Sequence, residues 1–195
     1  RQNKYFCIEK AYQFFINNYL ANTISDSLTD QAIESNFASI SNTPYYFEAL
    51  GFLKLHQNRI FECCALFCST TDLFSNIPKD SLLFNNFYAL YALSAFTNND
   101  FHKTLNISKN ISADYADIAE IYHIMALSYI YLFMEEDAEG NTQLADEYLS
   151  ESIDCFIEAV KKGYVLTQKE NEFILKYTNM QIEELIFSSF EFQKV

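Results

Sequence analysis

The sequence reads ADYADIAEIYHIMALSYIYLF at residues 113–133 and ADEYLSESIDCFIEAVKKGY at residues 145–164. In both segments apolar residues recur three and four positions apart, which is the spacing of one face of an α-helix. An acidic segment that contains a glycine, residues 135–143, separates the two, and Gly163 is the expected C-terminal stop of the second. The pattern predicts two amphipathic helices that fold back on each other across an acidic loop.

The composition of the 195-residue chain favours an all-α fold. Half of the residues are hydrophobic and 17% are aromatic, which argues against a disordered chain. Glycine occurs three times and proline twice, too rarely for a turn-rich β-sandwich or an α/β protein with phosphate-binding loops. We therefore expect a single domain, residues 1–195, of about 8–10 helices. They are predicted at residues 4–20, 30–40, 44–55, 59–73, 80–97, 101–108, 113–133 and 144–162, with one long or two short helices at 168–193.

The helical pattern recurs along the chain at a fixed spacing. Pro44 and Pro78 each follow an asparagine-containing turn, and the interval between them is the same as that from Ala92 to Ala126. Pro44 is expected at the first helical position, after Thr43 as N-cap. A helical hairpin of this length cannot bury its own apolar face, so successive hairpins are expected to stack.

Three segments within residues 44–164 share an order of large and small side chains. Small residues in both helices of a pair allow the two backbones to approach closely, and large apolar residues fill the remaining space. This helix–turn–helix pattern, with a period of about 34 residues, resembles the tetratricopeptide repeat family. The small residues are Gly51 and Cys63, Ala92 and Thr104, and Ala126 and Ser152; the large ones include Phe47, Leu50, Phe67, Tyr88, Tyr91, Tyr122, Met125, Tyr129 and Phe156.

The resemblance implies antiparallel hairpins stacked as an α-α superhelix, with residues 1–41 and 165–195 as flanking or capping helices. It also implies a concave groove, lined by the first helix of each pair, that receives a peptide or helix of another protein. The third of these segments departs from the family pattern, with about 14 extra residues around its acidic turn. The small residues Gly51 and Ala92 of the first two segments also stand further apart than the two prolines, which implies a lengthened helix. On the matched positions the groove residues are Tyr45, Glu48, Phe52, His56, Asn86, Leu93, Phe96, His123, Leu127 and Tyr131. This aromatic-rich set predicts a partner with apolar side chains.

The charge and the cysteines restrict the partners and the compartment. The net charge is −13, and residues 101–195 carry 7 basic and 17 acidic side chains, which disfavours binding to nucleic acid or to anionic lipid. The longest uncharged apolar run, Ile121–Phe133, has 13 residues, whereas spanning a bilayer takes ~20. Five cysteines without a CxxC pair and the lack of a visible secretory signal predict a cytoplasmic protein with reduced thiols.

No arrangement of residues predicts catalysis, a metal site or a cofactor. Cys64 and Cys68 share a helix face, but structural zinc takes four ligands. His56, His102 and His123 stand in no HExxH or nucleophile motif. The acidic segment lacks the spacing of a calcium-binding loop, and no glycine-rich phosphate loop occurs. We therefore expect neither an enzyme nor a bound cofactor.

Two interpretations of the function stay open. The first is a protein-binding adaptor or chaperone-like scaffold, of which a small acidic secretion chaperone is a narrower version. The second is a regulatory or sensory helical-repeat domain of a larger transcription or signalling regulator, suggested by a chain that begins at Arg1 rather than Met. A homodimer is compatible with either interpretation.

Overall fold

The computed structural model describes residues 43–192, apart from the side chains of Tyr45, Ala49, Phe52, His56 and residues 189–192. All regular secondary structure in this range is helical, which confirms the predicted fold class. The helices predicted at residues 4–20 and 30–40 lie outside the described residues. The described helices are α1 (Pro44–His56), α2 (Ile60–Phe74), α3 (Leu82–Thr97), α4 (Phe101–Ser108), α5 (Ile118–Glu139), α6 (Thr142–Lys161), α7 (Gln168–Thr178) and α8 (Ile182–Phe192).

Several helix ends lie where the sequence signals predict them. Pro44 is the first residue of α1, after an extended Thr43. Thr167 and Glu170 form a capping box at the start of α7, in which each side chain accepts a hydrogen bond from the backbone N–H of the other. Gly163 follows α6 with a left-handed φ of 103°. These signals are predictable because helix capping depends on residues that are close together in the sequence.

The predicted acidic loop at residues 135–143 is wrong, because α5 continues to Glu139. Methionine, glutamate and alanine are strong helix formers, and no breaker precedes Gly140. Gly140 has a left-handed φ of 81°, and the N–H groups of Gly140 and Asn141 donate to two carbonyls of the last helical turn (3.1 and 2.9 Å). The turn is therefore tight. The extra residues of the third predicted repeat segment lengthen α5 and α6 to 22 and 20 residues.

The turns after α1, α3 and α5 share a residue in the left-handed conformation. Asn58, Asn99 and Gly140 are evenly spaced along the chain, with φ of 59°, 59° and 81°. The first residues of α2, α4 and α6 follow each other at the same even spacing. Asn179, with φ of 57°, is a further left-handed residue and directly follows α7. Measured from these turns, the first three helix pairs repeat at a longer interval than the one predicted from Pro44 and Pro78.

Pro44 and Pro78 do not occupy equivalent places. Pro44 begins α1, whereas α3 begins at Leu82, with Ser81 as an N-cap whose hydroxyl accepts from the N–H of Phe84 at 3.2 Å. Pro78 lies in the turn before α3, where its carbonyl accepts from the N–H and hydroxyl of Ser81 (3.0 and 2.7 Å). The interval between the two prolines therefore does not measure the spacing of the helices.

Contacts within the chain define two compact units, divided between Asn99 and Asp100. In the first unit α1, α2 and α3 each contact the other two. The core of this unit is aromatic and includes the fully buried rings of Phe67, Phe74 and Phe87. Phe87 meets Phe67 edge to face at 5.0 Å and stacks on Phe74 at 3.5 Å, measured between ring centroids.

In the second unit α5 packs along α6 and also contacts α4, while α8 contacts α6 and α7. The core of this unit comes from all five helices, with Phe156 and Ile174 fully buried. The remaining core residues are Leu105, Ala126, Tyr129, Leu132, Cys155, Ile157 and Ile182.

The six small residues predicted to lie between paired helices are all buried. Gly51 shows the reason most clearly, because a Cβ at this position would lie 2.0 Å from Cζ of Phe67. The Sγ of Cys63 donates to the carbonyl of Gly51 at 3.2 Å. The predicted burial of these positions is confirmed, while the family's superhelical arrangement and the single-domain organisation stay predictions.

Candidate protein-binding surface

In the first unit, one predicted groove residue points inward. The prediction that Glu48 faces a partner is wrong: the residue is 5% exposed, and its Oε1 accepts from Nδ2 of Asn86 at 2.9 Å. A buried carboxylate needs hydrogen-bond donors, and this bond joins α1 to α3. Asn86 and Phe96 are half-buried, whereas Leu93 is 38% exposed. The side chains of Tyr45, Phe52 and His56 lie outside the described residues.

In the second unit, His123 is enclosed rather than facing an open groove as predicted. Its Nε2 lies 2.6 Å from Oε1 of Glu170 and 3.2 Å from the hydroxyl of Tyr164. The imidazole also stacks on the Tyr164 ring, with centroids 4.1 Å apart. The side chains of His123 and Glu170 are 15% and 12% exposed. We name His123, Tyr164 and Glu170 the α5–α7 latch, because they join these two helices.

The charge of the latch is concentrated on Glu170. Its Oε2 accepts from the backbone N–H of Thr167 at 2.6 Å, while its Oε1 faces His123. Burial raises the pKa of Glu170, but the hydrogen bonds from His123 and Thr167 outweigh burial and hold the pKa below its usual value of 4.5. An ionised carboxylate only accepts hydrogen bonds, so the proton between Glu170 and His123 belongs to Nε2.

Beyond the latch, one face of α5 opens to solvent. Leu127, Tyr131, Met134 and Ala138 follow each other at helical spacing and form a single line along α5. Leu127 packs partly against the core, Tyr131 is 49% exposed, Met134 is 58% exposed and Ala138 is also exposed. We name these four residues the α5 stripe.

Aromatic rings of the neighbouring helices pack against α5, one of them on the α5 stripe. Phe101 of α4 stacks on Tyr131 with a centroid distance of 4.5 Å and an interplanar angle of 5°. Tyr177 of α7 is 37% exposed and meets Phe133 edge to face at 5.4 Å. The Nζ of Lys176 lies 4.6 Å from the centroid of the Tyr177 ring. The Phe101 stack therefore holds the Tyr131 ring within the α5 stripe, while Tyr177 packs on a different face of α5.

Exposed carboxylates surround the α5 stripe. With successive residues turned by about 100° around the axis, Glu135 and Asp137 fall on either side of the line, and Glu139 lies past its end. All three are exposed, and α5 contains no lysine or arginine. α6 differs, because its exposed residues are polar or acidic and none of them is a large apolar side chain.

Met134 and Tyr177 are absent from the predicted groove. Met134 follows Tyr131 by three positions, so continued helical spacing was a usable signal. The acidic residues that follow Met134 predict a loop, which ends the predicted helix at residue 133 and leaves Met134 outside it. Tyr177 carried no such signal, since its exposure depends on how α7 packs against α5.

The buried thiols of Cys63 and Cys155 are not activated. Burial raises the pKa of Cys63 and that of Cys155 to about 12, so both stay protonated at neutral pH. Among residues 43–192, no group of three or more histidine, cysteine, aspartate or glutamate side chains is placed to hold a metal ion. A search of the same residues finds no helix with the length and apolar character needed to cross a membrane.

A comparison of the chain with protein-family models, with curated proteins and with solved structures finds no match. The function must therefore be argued from the chemistry of the surface. In the described residues, the α5 stripe is the feature that points to a function, because contiguous exposed apolar side chains mark interaction sites.

Proposed function

We propose that the protein is an interaction module, adaptor-like or chaperone-like, that binds an apolar helix or peptide of another protein on the α5 stripe. The observation that carries the proposal is the exposure of Tyr131 and Met134, two large side chains in line on one face of α5. Tyrosine and methionine are both enriched in the cores of protein interfaces. Covering apolar area yields about 25 cal/mol per Å² before the costs of association.

The length of the α5 stripe suits a helical partner. From Leu127 to Ala138 the stripe advances about 16 Å, or three helical turns. A partner helix would place its apolar residues at i, i+3 or i+4, and i+7 against this line. The Phe101 stack holds Tyr131 in place before binding, which lowers the entropy lost when the side chain is fixed in a complex.

We also propose that the helix pairs are tetratricopeptide-like units in which the first helix carries the binding residues. Support comes from the burial of every predicted small residue and from the recurring left-handed turn residue after α1, α3, α5 and α7.

A variant series on the full chain tests the proposal. A partner recovered by co-purification is titrated against the wild type and against Tyr131→Ala combined with Met134→Ala. Loss of two central contact residues should weaken binding by about 10- to 100-fold. The matched control is Phe61→Ala with Leu73→Ala, which removes two exposed apolar side chains from α2 (74% and 42% exposed).

The control pair should change the affinity by less than about twofold, as surface positions outside an interface do. Circular dichroism of both variants establishes that the helices are retained. Unchanged affinity in the α5 variant, or an equal loss in the α2 control, would count against the α5 stripe as the binding surface.

A further inference from the structure

We infer that the partner segment is a basic amphipathic helix, with lysine or arginine beside its apolar face; this rests on the proposed function of the α5 stripe. The first observation is the charge of the helix that presents the stripe. α5 carries five acidic side chains and no lysine or arginine. Exposed apolar side chains that lie between carboxylates favour a partner with positively charged side chains beside its apolar face.

The second observation is where the acidic residues of α5 lie. Glu135, Asp137 and Glu139 occupy the C-terminal end of α5, where the helix dipole already favours positive charge, and the last turn contains no basic residue. Glu135 and Glu139 are also four positions apart, a like-charge spacing that destabilises a helix. These residues destabilise the end of α5, yet they flank the α5 stripe. Positively charged side chains of a partner would offset both the unfavourable dipole contact and the repulsion between the carboxylates.

Other occupants fit the surface less well. Nucleic acid and anionic lipid carry the same sign of charge as this face and would be repelled. An uncharged apolar segment would cover the α5 stripe but leave the carboxylates unmatched. A basic amphipathic helix matches both the apolar stripe and the carboxylates beside it. The aliphatic stems of its lysines extend the apolar contact, and their ammonium groups reach Glu135 and Asp137.

Three synthetic helical peptides of about 18 residues provide the test. They share leucine at i, i+3, i+4 and i+7, and the remaining positions carry mainly lysine, glutamine or glutamate. Binding to the full chain is measured by fluorescence anisotropy at about 0.02 M and about 0.2 M NaCl. The lysine peptide should bind most tightly, the glutamate peptide least, and only the lysine peptide should lose affinity as salt rises.

Matched charge variants locate the effect. Glu135→Gln with Asp137→Asn should weaken binding of the lysine peptide by about 3- to 10-fold, the range for two exposed ion pairs. Asp146→Asn with Glu151→Gln removes the same charge from α6 and should change the affinity by less than about twofold. The α5 variant should also unfold at a higher temperature than the wild type, since it loses repulsion and the unfavourable dipole contact.

The outcomes separate the inference from the proposed function. Equal binding of the lysine and glutamine peptides, abolished by Tyr131→Ala with Met134→Ala, would overturn the basic partner and leave the binding surface standing. Equal weakening by the α5 and α6 charge variants would also overturn the inference, because binding would then follow net charge alone. If none of the peptides binds, the proposed function of the stripe fails as well.

Discussion

Gly51 sets how closely α1 and α2 approach each other. Its carbonyl oxygen lies 3.2 Å from Sγ of Cys63, and the Phe67 ring fills the space that a side chain would need. Phe67 has no room to move aside, because it is fully buried against Phe87 and Tyr91. Because protein interiors are packed as densely as organic crystals, one added methyl group at this position destabilises the folded state.

Gly51→Ala should therefore destabilise the protein by about 1–3 kcal/mol. Helix propensity alone predicts the opposite change in stability, because alanine is favoured over glycine inside a helix by about 1 kcal/mol. The reversal comes from the 2.0 Å approach between the new Cβ and Cζ of Phe67. Urea unfolding followed by circular dichroism measures the change in the free energy of unfolding.

A double-mutant cycle with Phe67→Leu provides the control for Gly51→Ala. Leucine is smaller than phenylalanine, so adding Gly51→Ala to Phe67→Leu should cost less than adding it to the wild type. A coupling free energy near zero between the two positions would show that the ring of Phe67 is not the obstacle.

At the scale of helices, the α5–α7 latch depends on contacts between residues 47 positions apart in the chain. The capping box of Thr167 and Glu170 was predictable, because its two members lie three residues apart in a known motif. The second role of Glu170, as acceptor for His123, was not, since it depends on how α7 packs against α5. The same limit explains why His123 was predicted to face a groove.

Glu170→Gln should lower the free energy of unfolding by about 1–3 kcal/mol at pH 7, the range for a hydrogen bond to a charged group. Glutamine keeps the side-chain length and can still accept from Thr167, so the main loss is the charged contact with His123. Glu172→Gln removes the same charge from an exposed position of α7 and serves as the control. Denaturant unfolding of the two variants and the wild type measures the difference.

The effect of Glu170→Gln should depend on pH with a defined sign. The folded state holds the pKa of Glu170 below 4.5, so its contribution to stability is present above that value and is lost as the pH falls through the folded pKa. The free-energy gap between wild type and variant should therefore narrow below about pH 4.5. A gap that stays constant from pH 7 to the acid transition would contradict an ionised Glu170 in the latch.

At the scale of the molecule, the sequence predicted the features that depend on composition and short-range spacing. Few breakers and helical periodicity gave the all-α class, and the positions of Gly51, Ala126 and Ser152 gave the buried small residues. The polarity of the residues after Met134 predicts a loop, but the structure continues α5 through them, because glutamate and alanine favour a helix. Exposure of the α5 stripe is a tertiary property that no single helix specifies.

The net charge of −13 gives a prediction for the molecule as a whole. The ion pairs of Glu62 with Arg59 and Lys54 and of Glu158 with Lys161 are partly exposed and contribute little. Repulsion among the unmatched carboxylates should therefore outweigh attraction. Salt shortens the Debye length from about 30 Å at 0.01 M to about 3 Å at 1 M, so NaCl should raise Tm by about 2–4 °C for each 1 kcal/mol of repulsion removed.

Thermal unfolding across an NaCl series measures this effect, and a variant with fewer carboxylates separates screening from general salting-out. Glu135→Gln, Asp137→Asn and Glu139→Gln together remove three charges from one helix end. This variant should begin with a higher Tm at low salt and gain less from added NaCl, because part of the repulsion is already gone. A Tm that falls as NaCl rises would mean that attractive pairs dominate, and the carboxylates of α5 would then no longer be a destabilising feature that a basic partner offsets.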